Sequence, residues 1–272
     1  MQGRLLPPTE GRFQAFPAAG WREEFPRARD AGLARIEWIY EVPHEADNPL
    51  GSEAGVAELR RLAAETGVAV RSICADYYMG RLLVGADDRP DASVVEHLRW
   101  LLGRAALLGV GYMVLPFVDA SSLKTDSARA AAAEALAAVL PAAEAAGVEL
   151  HLETDLAPPV FAALLRRIGH PLVKANYDIG NSASLGYDPE EELTTLAPWL
   201  GSVHVKDRVL GGGTVALGTG NADFPTCFRL IRRAGFAGCF ILQAARDAAL
   251  SEVELARRNI AFVRDHLAAA GA

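Results

Sequence analysis

The sequence predicts a (β/α)8 TIM barrel, the α/β fold in which eight parallel strands alternate with eight helices. Short apolar runs alternate with longer amphipathic segments along the whole chain. Successive apolar runs start about 25 to 40 residues apart, as strand–helix units require. Several predicted helices end in glycine followed by a small apolar run, as in Ala31-Gly32-Leu33, and glycine at that place favours a helix end. An open doubly wound sheet is the alternative, although no GxGxxG motif follows an early strand.

Eight strand–helix pairs account for almost the whole chain, which predicts one barrel domain over residues 1–272. The predicted strands, each a short apolar run, are residues 2–5, 35–39, 69–74, 112–116, 149–153, 173–178, 202–206 and 239–243. The predicted helices, each amphipathic or alanine-rich, are residues 21–31, 53–66, 92–108, 127–146, 157–168, 189–197, 225–234 and 251–269. Loops over 7–20, 40–52 and 77–91 follow strands, so we expect them on one face of the barrel.

The charge balance limits the classes of partner. There are 34 acidic and 27 basic residues, a net charge of −7, and this argues against nucleic-acid binding, which needs a basic face. It leaves room for a small anionic substrate held by a few local cations. Hydrophobic residues make up 51% of the chain, enough for a large core, so global disorder is excluded.

Cysteine usage and the lack of long apolar segments predict a cytoplasmic protein. Cys74, Cys227 and Cys239 are odd in number and widely spaced, so neither a disulfide framework nor a cysteine-rich zinc site is expected. The first residues, MQGRLLPP, lack the apolar region of a signal peptide. No uncharged apolar run reaches the roughly 18 residues needed to span a bilayer, so no membrane association is expected.

Polar side chains end the fifth to eighth predicted strands. The segments are His151-Leu-Glu153, Asn176-Tyr-Asp178, His204-Val-Lys206 and Leu242-Gln243. Side chains alternate along a strand, so Glu153, Asp178, His204 and Gln243 are predicted to converge at the barrel mouth. Buried carboxylates need a counter-charge, and this donor set suits Mn²⁺, Co²⁺, Mg²⁺ or Zn²⁺. His151 is a candidate for catalytic or substrate contact, with core packing as the alternative.

Basic residues near the strand ends are candidates for binding substrate. Lys206, Arg208 and Arg246 follow the last two strands and Arg4 follows the first, where a phosphate or carboxylate could be held. Surface salt bridges are the alternative for these four residues. Glu37, in the second strand, is a candidate for hydroxyl contacts or for an ion pair inside the barrel. The glycine-containing segment 218–223 either turns backbone N–H groups toward substrate or shapes its loop.

Seven segments together resemble the sugar phosphate isomerase/epimerase family, which has a xylose isomerase-like barrel. They are MQGRLLPP, IEWIYE, LHLETDL, NYDIGNS, SVHVKDR, LGTGNADF and FILQAARD, and they cover nearly the whole chain. The resemblance implies a metal-dependent enzyme of carbohydrate metabolism that acts on keto and aldo sugars, often phosphorylated. It implies a Glu, an Asp and a His as ligands after strands five, six and seven, and these fall on Glu153, Asp178 and His204.

Gln243 departs from that pattern, since most members carry a glutamate there. FILQ-type strands are similar to those of hexulose- or ribulose-phosphate isomerases, which implies a subgroup. A glutamine can offer its carbonyl oxygen to a metal, but it cannot take up a proton near neutral pH. The family mechanism implied is isomerisation or epimerisation through a cis-enediolate. Glu153 is then the remaining base, which favours isomerisation, unless His151, Lys206 or Asp76 supplies a second acid/base.

Other functions remain open at this stage. A dehydratase of a cyclic polyol or keto acid would use the same ligands to stabilise an enolate. A sugar-binding protein that has lost catalysis would also explain Gln243. A DNA-repair endonuclease on this barrel would need a trinuclear zinc site with more histidines than the six present, and the acidic charge opposes it. A homo-oligomer is plausible because such barrels often pair through their helices.

Overall fold

Seven parallel strands form a nearly closed barrel surrounded by helices. The computed structural model describes residues 1–12 and 14–271. The strands are β1 Arg35–Ile39, β2 Ala69–Cys74, β3 Tyr112–Phe117, β4 Glu149–Thr154, β5 Val173–Asp178, β6 Leu200–Val205, β7 Asp207–Arg208, β8 Thr214–Val215 and β9 Phe240–Leu242. The barrel order is β1-β2-β3-β4-β5-β6-β9, while β7 and β8 form a separate antiparallel pair. The predicted α/β barrel class is confirmed.

The predicted first strand is reduced to one bridging residue. Gln2 forms an isolated parallel bridge with Glu37. The N–H of Glu37 donates to the Met1 carbonyl (2.9 Å), and the N–H of Gln2 donates to the Leu242 carbonyl (3.2 Å). The first two residues therefore fill the gap between β1 and β9. Gly3 then turns the chain away, with a φ of 41° that disfavours any residue with a side chain.

The eight predicted helices are all present, and their ends differ from the predicted ones by at most one residue, apart from the start of the first. The helices are α1 Glu24–Ala31, α2 Glu53–Thr66, α3 Tyr77–Gly80, α4 Ala92–Leu108, α5 Asp126–Ala146, α6 Pro158–Ile168, α7 Ile179–Leu185, α8 Pro189–Leu196, α9 Phe224–Arg233 and α10 Glu252–Ala269. A 3₁₀ turn, Trp21–Glu23, precedes α1. The short helices α3 and α7 were not predicted, and α7 helps to build the site described below.

Two expectations about the environment of the chain can be compared with the structure. Cys74, Cys227 and Cys239 are free thiols, so no disulfide joins the described residues. Within residues 1–12 and 14–271, every helix is too short or too polar to cross a membrane.

Candidate active site

A cavity of about 640 Å³ opens at the carboxyl ends of the barrel strands. Glu153 enters it from β4, Lys206 and Arg208 from the segment after β6, and Gln243 from the residue after β9. Residues of the predicted loops 7–20, 40–52 and 77–91 line the cavity, as expected from their place in the sequence, and the loop after β3 contributes as well. Active sites of parallel barrels lie at this end.

Three buried side chains beneath this cavity form a cluster that can hold a metal ion. One ligand atom each from Glu153, Asp178 and His204 lies within 4.8 Å of the others. The register of β5 and β6 brings them together, because Asp178 pairs directly with His204. The Nδ1 atom of His204 lies 3.5 Å from Glu153 Oε2 and 3.8 Å from Asp178 Oδ2. Two carboxylates and an imidazole are donors that several divalent cations accept.

Glu37 contacts the other ring nitrogen of His204. Its Oε1 atom lies 2.9 Å from His204 Nε2, and both side chains are fully buried. Burial alone would lower the pKa of His204, but the adjacent carboxylates of Glu37 and Glu153 outweigh it and raise the pKa to about 10. Glu37 thus turns Nδ1 toward Glu153 and Asp178, as outer carboxylates do for metal-binding histidines. Of the two predicted roles for Glu37, the structure favours the ion pair inside the barrel.

Asn181 links the carboxylates to the nearby cations. Its Nδ2 donates to Glu153 Oε1 (2.7 Å), and its backbone N–H donates to Asp178 Oδ1 (2.9 Å). Its Oδ1 accepts from Arg208 Nη1 (2.9 Å) and from Lys206 Nζ (3.3 Å). Asn181 was not predicted from the sequence, although the NYDIGNS segment places it three residues after Asp178. Asp178 caps α7, and a capping aspartate receives the N–H of the residue three positions later.

Lys206 balances part of the negative charge. Its Nζ lies 2.7 Å from Asp178 Oδ2. Burial would raise the pKa of Asp178, but Lys206 and His204 outweigh it and lower the pKa below its ordinary value. Gly180 allows this contact, because a Cβ there would lie 2.9 Å from the Lys206 backbone carbonyl carbon. The structure thus brings Lys206 and Arg208, both predicted to bind substrate, to the cavity.

Gln243 presents an unsatisfied acceptor at the site. The side chain is 2% exposed and lines the cavity with Glu153. Among the described residues, no donor hydrogen-bonds to its Oε1. A buried carbonyl oxygen without a partner costs free energy, and a bound cation would satisfy it. This placement fits the predicted fourth ligand, whose role stays a prediction.

His151 lies deeper in the barrel, away from the cavity wall. Its Nδ1 hydrogen-bonds with Ser202 Oγ (2.8 Å), its Nε2 with Glu149 Oε2 (2.9 Å), and its ring stacks on Tyr112 at 4.3 Å between centroids. Burial lowers the pKa of this imidazole, which favours its neutral form. This environment is the core-packing alternative, and it gives no support to the predicted catalytic contact.

Arg4 and Arg246 hold the first residues of the chain against the barrel. Arg4 Nη1 donates to the Ala244 carbonyl (2.7 Å), and Arg246 Nη1 donates to the Leu6 carbonyl (2.6 Å). Neither side chain lines the cavity, so the structure does not support their predicted contact with substrate. They instead replace the strand pairing that the segment after Gln2 lacks.

The glycine-containing segment 218–223 shapes its own loop. The buried Asp207 carboxylate accepts the N–H groups of Gly218 (2.9 Å), Gly220 (2.8 Å) and Ala222 (3.1 Å). These donors are therefore occupied inside the loop, and the second of the two predicted roles is the one observed.

Several known proteins are similar to this chain. The L-ribulose-5-phosphate 3-epimerase UlaE of Salmonella paratyphi C (strain RKS4594) is 26% identical over 250 residues, 89% of this chain and 83% of that protein. The solved structure of an L-ribulose 3-epimerase has a TM-score of 0.72 and 22% identity, over 99% of this chain and 94% of the other. The D-allulose 3-epimerase from Methylomonas sp. has a TM-score of 0.74 and 18% identity, over 93% and 94%. The IOLI protein with a bound zinc atom has a TM-score of 0.74 and 14% identity, over 91% and 92%.

The structural likenesses show the shared fold, and the named relatives are sugar epimerases or, in one case, a zinc-binding protein. The sequence profile described as "Xylose isomerase-like TIM barrel" matches residues 25–266, which include every strand of the barrel. The chain belongs to the xylose isomerase-like TIM barrel family.

Proposed function

We propose that this protein is a divalent-metal-dependent isomerase or epimerase of a sugar or sugar phosphate. The observation that carries the proposal is the buried cluster of Glu153, Asp178 and His204 beneath a cavity at the carboxyl ends of the strands. The similarity to an L-ribulose-5-phosphate 3-epimerase over most of both chains supports the substrate class. We propose Gln243 as the fourth ligand and Mn²⁺, Co²⁺, Mg²⁺ or Zn²⁺ as the metal.

The site residues have distinct tasks in the proposed reaction. A divalent cation held by the cluster would supply positive charge that polarises a carbonyl and stabilises negative charge on neighbouring oxygens. The Glu153 carboxylate removes the proton from the carbon next to the carbonyl, which gives a cis-enediolate of the sugar. The hydrogen bond from Asn181 Nδ2 to Glu153 Oε1 orients that base. Lys206 and Arg208 supply cations for a phosphate or for hydroxyl groups.

Metal content tests the ligand assignment directly. We expect one divalent ion per chain when the protein is purified without a chelator and its metal content is measured by inductively coupled plasma mass spectrometry. Asp178→Ala and His204→Ala should each retain less than about a tenth of this metal, since each variant loses one bond to the ion. Asp119→Ala is the matched control, because Asp119 lines the same cavity outside the cluster. Unchanged metal content in both ligand variants would mean that the ligands are misassigned.

Gln243 separates an active enzyme from a sugar-binding protein that has lost catalysis. If the wild-type protein turns over sugars, Gln243→Glu is expected to lower that activity, because the site is adapted to a neutral fourth ligand. A gain of epimerase activity in Gln243→Glu from an inactive wild type would instead favour lost catalysis. The names of the relatives favour an isomerase or epimerase over a dehydratase, and a panel of sugars and inositols tests this choice.

We also infer that residues 1–272 act as one barrel domain in the cytoplasm, without a nucleic-acid or membrane partner. The free thiols support a reducing compartment. A homo-oligomer is part of the same proposal, and light scattering after size-exclusion chromatography measures its size.

A further inference from the structure

Epimerisation needs a second proton-transfer group, and the ligand set does not provide one. One group must remove a proton from carbon and another must return a proton from a different side. Glu153 can do the first, whereas the Gln243 amide cannot exchange a proton near neutral pH. The second group must therefore be a carboxyl group, an imidazole or an amine near the cavity that does not bind the metal. This inference rests on the proposed function.

Two candidates are engaged elsewhere. His151 is enclosed below the cavity by Ser202, Glu149 and Tyr112, so it does not reach the space where a sugar would lie. Lys206 is paired with Asp178, because its Nζ lies 2.7 Å from Asp178 Oδ2.

Asp76 is a carboxyl group of the cavity wall that is not a proposed metal ligand. It follows β2, whereas Glu153 is the second-last residue of β4, and both line the same cavity. The two carboxyl groups therefore reach the cavity from different strands, with β3 between them. Its Oδ2 accepts a hydrogen bond from Gln14 Nε2 (2.6 Å), and its Oδ1 accepts one from the Cys74 thiol (3.2 Å). These two bonds hold the carboxyl group in one orientation.

Gln14 is itself held in place by a buried cation. Arg4 Nη2 donates to Gln14 Oε1 (3.0 Å), while Arg4 Nη1 donates to the Ala244 carbonyl, next to Gln243. A continuous chain of hydrogen bonds therefore runs from the residue after Gln243 through Arg4 and Gln14 to Asp76. The segment that carries the neutral fourth ligand and the one that carries Asp76 are fixed relative to each other.

The environment of Asp76 suits proton exchange near neutral pH. Burial raises the pKa of Asp76 to about 6, hydrogen bonds from Cys74 and Gln14 oppose the rise, and the charges of Glu153 and Glu41 add to it. In the described part of the chain, burial also raises the pKa of Glu24 and Glu192, but neither of these lines the cavity. A carboxyl group whose pKa is close to the operating pH can both give and take a proton.

We propose that Asp76 is the second acid/base of an epimerase and replaces the carboxylate that Gln243 lacks. In one direction, the Glu153 carboxylate takes the proton from the carbon. The C–H electron pair becomes a carbon–carbon double bond, and the π pair of the carbonyl moves to its oxygen to form the enediolate. The Asp76 carboxylic acid then donates its proton to the same carbon from its own side, and the electron pair returns to restore the carbonyl. Glu153 ends protonated and Asp76 ionised, and exchange with water restores both. The reverse reaction exchanges their roles.

Asp76→Asn separates the two proton transfers. The protein, supplied with Mn²⁺ or Co²⁺, is incubated in D2O with L-ribulose 5-phosphate, L-ribulose or D-allulose, and NMR measures epimer formation and deuterium at carbon 3. In Asp76→Asn, epimer formation is expected to fall at least about 100-fold. Deuterium exchange without inversion should persist, because Glu153 still removes and returns the proton on its own side. Retained exchange also shows that the variant has a folded, loaded site.

Asp265→Asn is the matched control, because it makes the same change at an exposed residue of α10 that does not line the cavity, and it should behave as wild type. Epimer formation by Asp76→Asn at the wild-type rate overturns the inference. Loss of both exchange and epimerisation in a folded Asp76→Asn also overturns it, since Asp76 would then support the first transfer. A wild type that isomerises ketose to aldose without epimerising overturns it but leaves the proposed function standing. A wild type that exchanges no proton with any of these sugars contradicts the proposed function itself.

Discussion

The two ends of the barrel interior carry the same kinds of residue, but the charges at the two ends are balanced to different degrees. At the amino end, Glu149 at the start of β4 contacts Lys174 (2.6 Å) and His151 (2.9 Å). At the carboxyl end of the same strand, Glu153 faces His204 and Asp178 beneath the cavity. Glu149, His151 and Glu153 share one face of β4, because side chains two residues apart point the same way.

The difference lies in how completely the charges are balanced. The Glu149 carboxylate is partly exposed and has its own lysine. At the mouth, the carboxylates of Glu37, Glu153 and Asp178 are buried around one imidazole and one ammonium. The amide oxygen of Gln243 has no donor among residues 1–12 and 14–271. Excess buried charge is expensive unless function requires it. Strand alternation predicts polar side chains at both ends. The amino end, where the charges are paired, has a structural role, and the mouth, where they are not fully paired, is the place for chemistry.

The same substitution at each end of β4 gives the largest expected contrast. Glu153→Gln should lower kcat/KM by about 10² to 10⁴, because it removes the proposed base. Glu149→Gln should leave kcat/KM within a few-fold and lower the thermal midpoint, because it breaks the contacts with Lys174 and His151. Steady-state kinetics and thermal melts on both variants make the comparison. Equal losses of activity would show that the amino end takes part in the chemistry.

Two glycines provide a second contrast, on stability. A Cβ at Gly201 would lie 2.7 Å from the His151 ring at the amino end, and one at Gly180 would lie 2.9 Å from the Lys206 backbone at the mouth. We expect Gly201→Ala and Gly180→Ala each to lower the free energy of unfolding by about 1–3 kcal/mol, because both sites are closely packed. Only Gly180→Ala should also reduce the activity per folded molecule, since it displaces Lys206 and Asn181. Urea denaturation gives the first quantity, and kinetics corrected for the folded fraction give the second.

The fold could be predicted well from the sequence where the hydrophobic pattern of a helix agrees with a glycine that marks its end. The eight long helices carry apolar faces, and six of them are followed within two residues by a glycine with positive φ. The helices α3 and α7 are a single turn or two, too short for a periodic pattern to show. The first strand was overestimated because arginines, which the pattern cannot place, hold that segment through Ala244 and Leu6 instead of strand pairing.

Alternation also predicted the three clustered ligands, since it depends only on spacing within strands. It could not give depth along the barrel axis, so it grouped His151 with Glu153, although two residues of strand separate them by about 6.6 Å. It could not place Asn181 or Gln14, because their positions depend on how α7 starts and how the first loop returns over the cavity. Loop residues reach a site because of the path that the loop backbone takes, and a periodic pattern of hydrophobic residues does not predict that path.

The pH dependence of stability should differ in sign between the two ends, and the change at the amino end is the smallest of the expected effects. At the amino end, the pKa of Glu149 is lowered from its ordinary 4.5 to about 2, because the hydrogen bond between Glu149 and His151 outweighs the effect of burial. The native state therefore gains stability from this group above pH 4.5 and loses it as the pH falls toward 2. Because Glu149 is partly exposed, we expect a change of less than about 1 kcal/mol.

Asp76 at the mouth behaves in the opposite way. Burial raises its pKa from 3.8 to about 6, so the native state keeps a proton that the unfolded chain has released. Stability from this group is present below pH 3.8 and falls as the pH rises toward 6, by about 1–3 kcal/mol. In urea midpoints measured from pH 2.5 to 8, Glu149→Gln should reduce the acid-side slope, and Asp76→Asn should remove part of the decline between pH 4 and 6. If both variants kept the wild-type profile, neither Glu149 nor Asp76 would have the shifted pKa that its contacts indicate. The contrast between an amino end with balanced charges and a mouth with unbalanced charges would then be wrong.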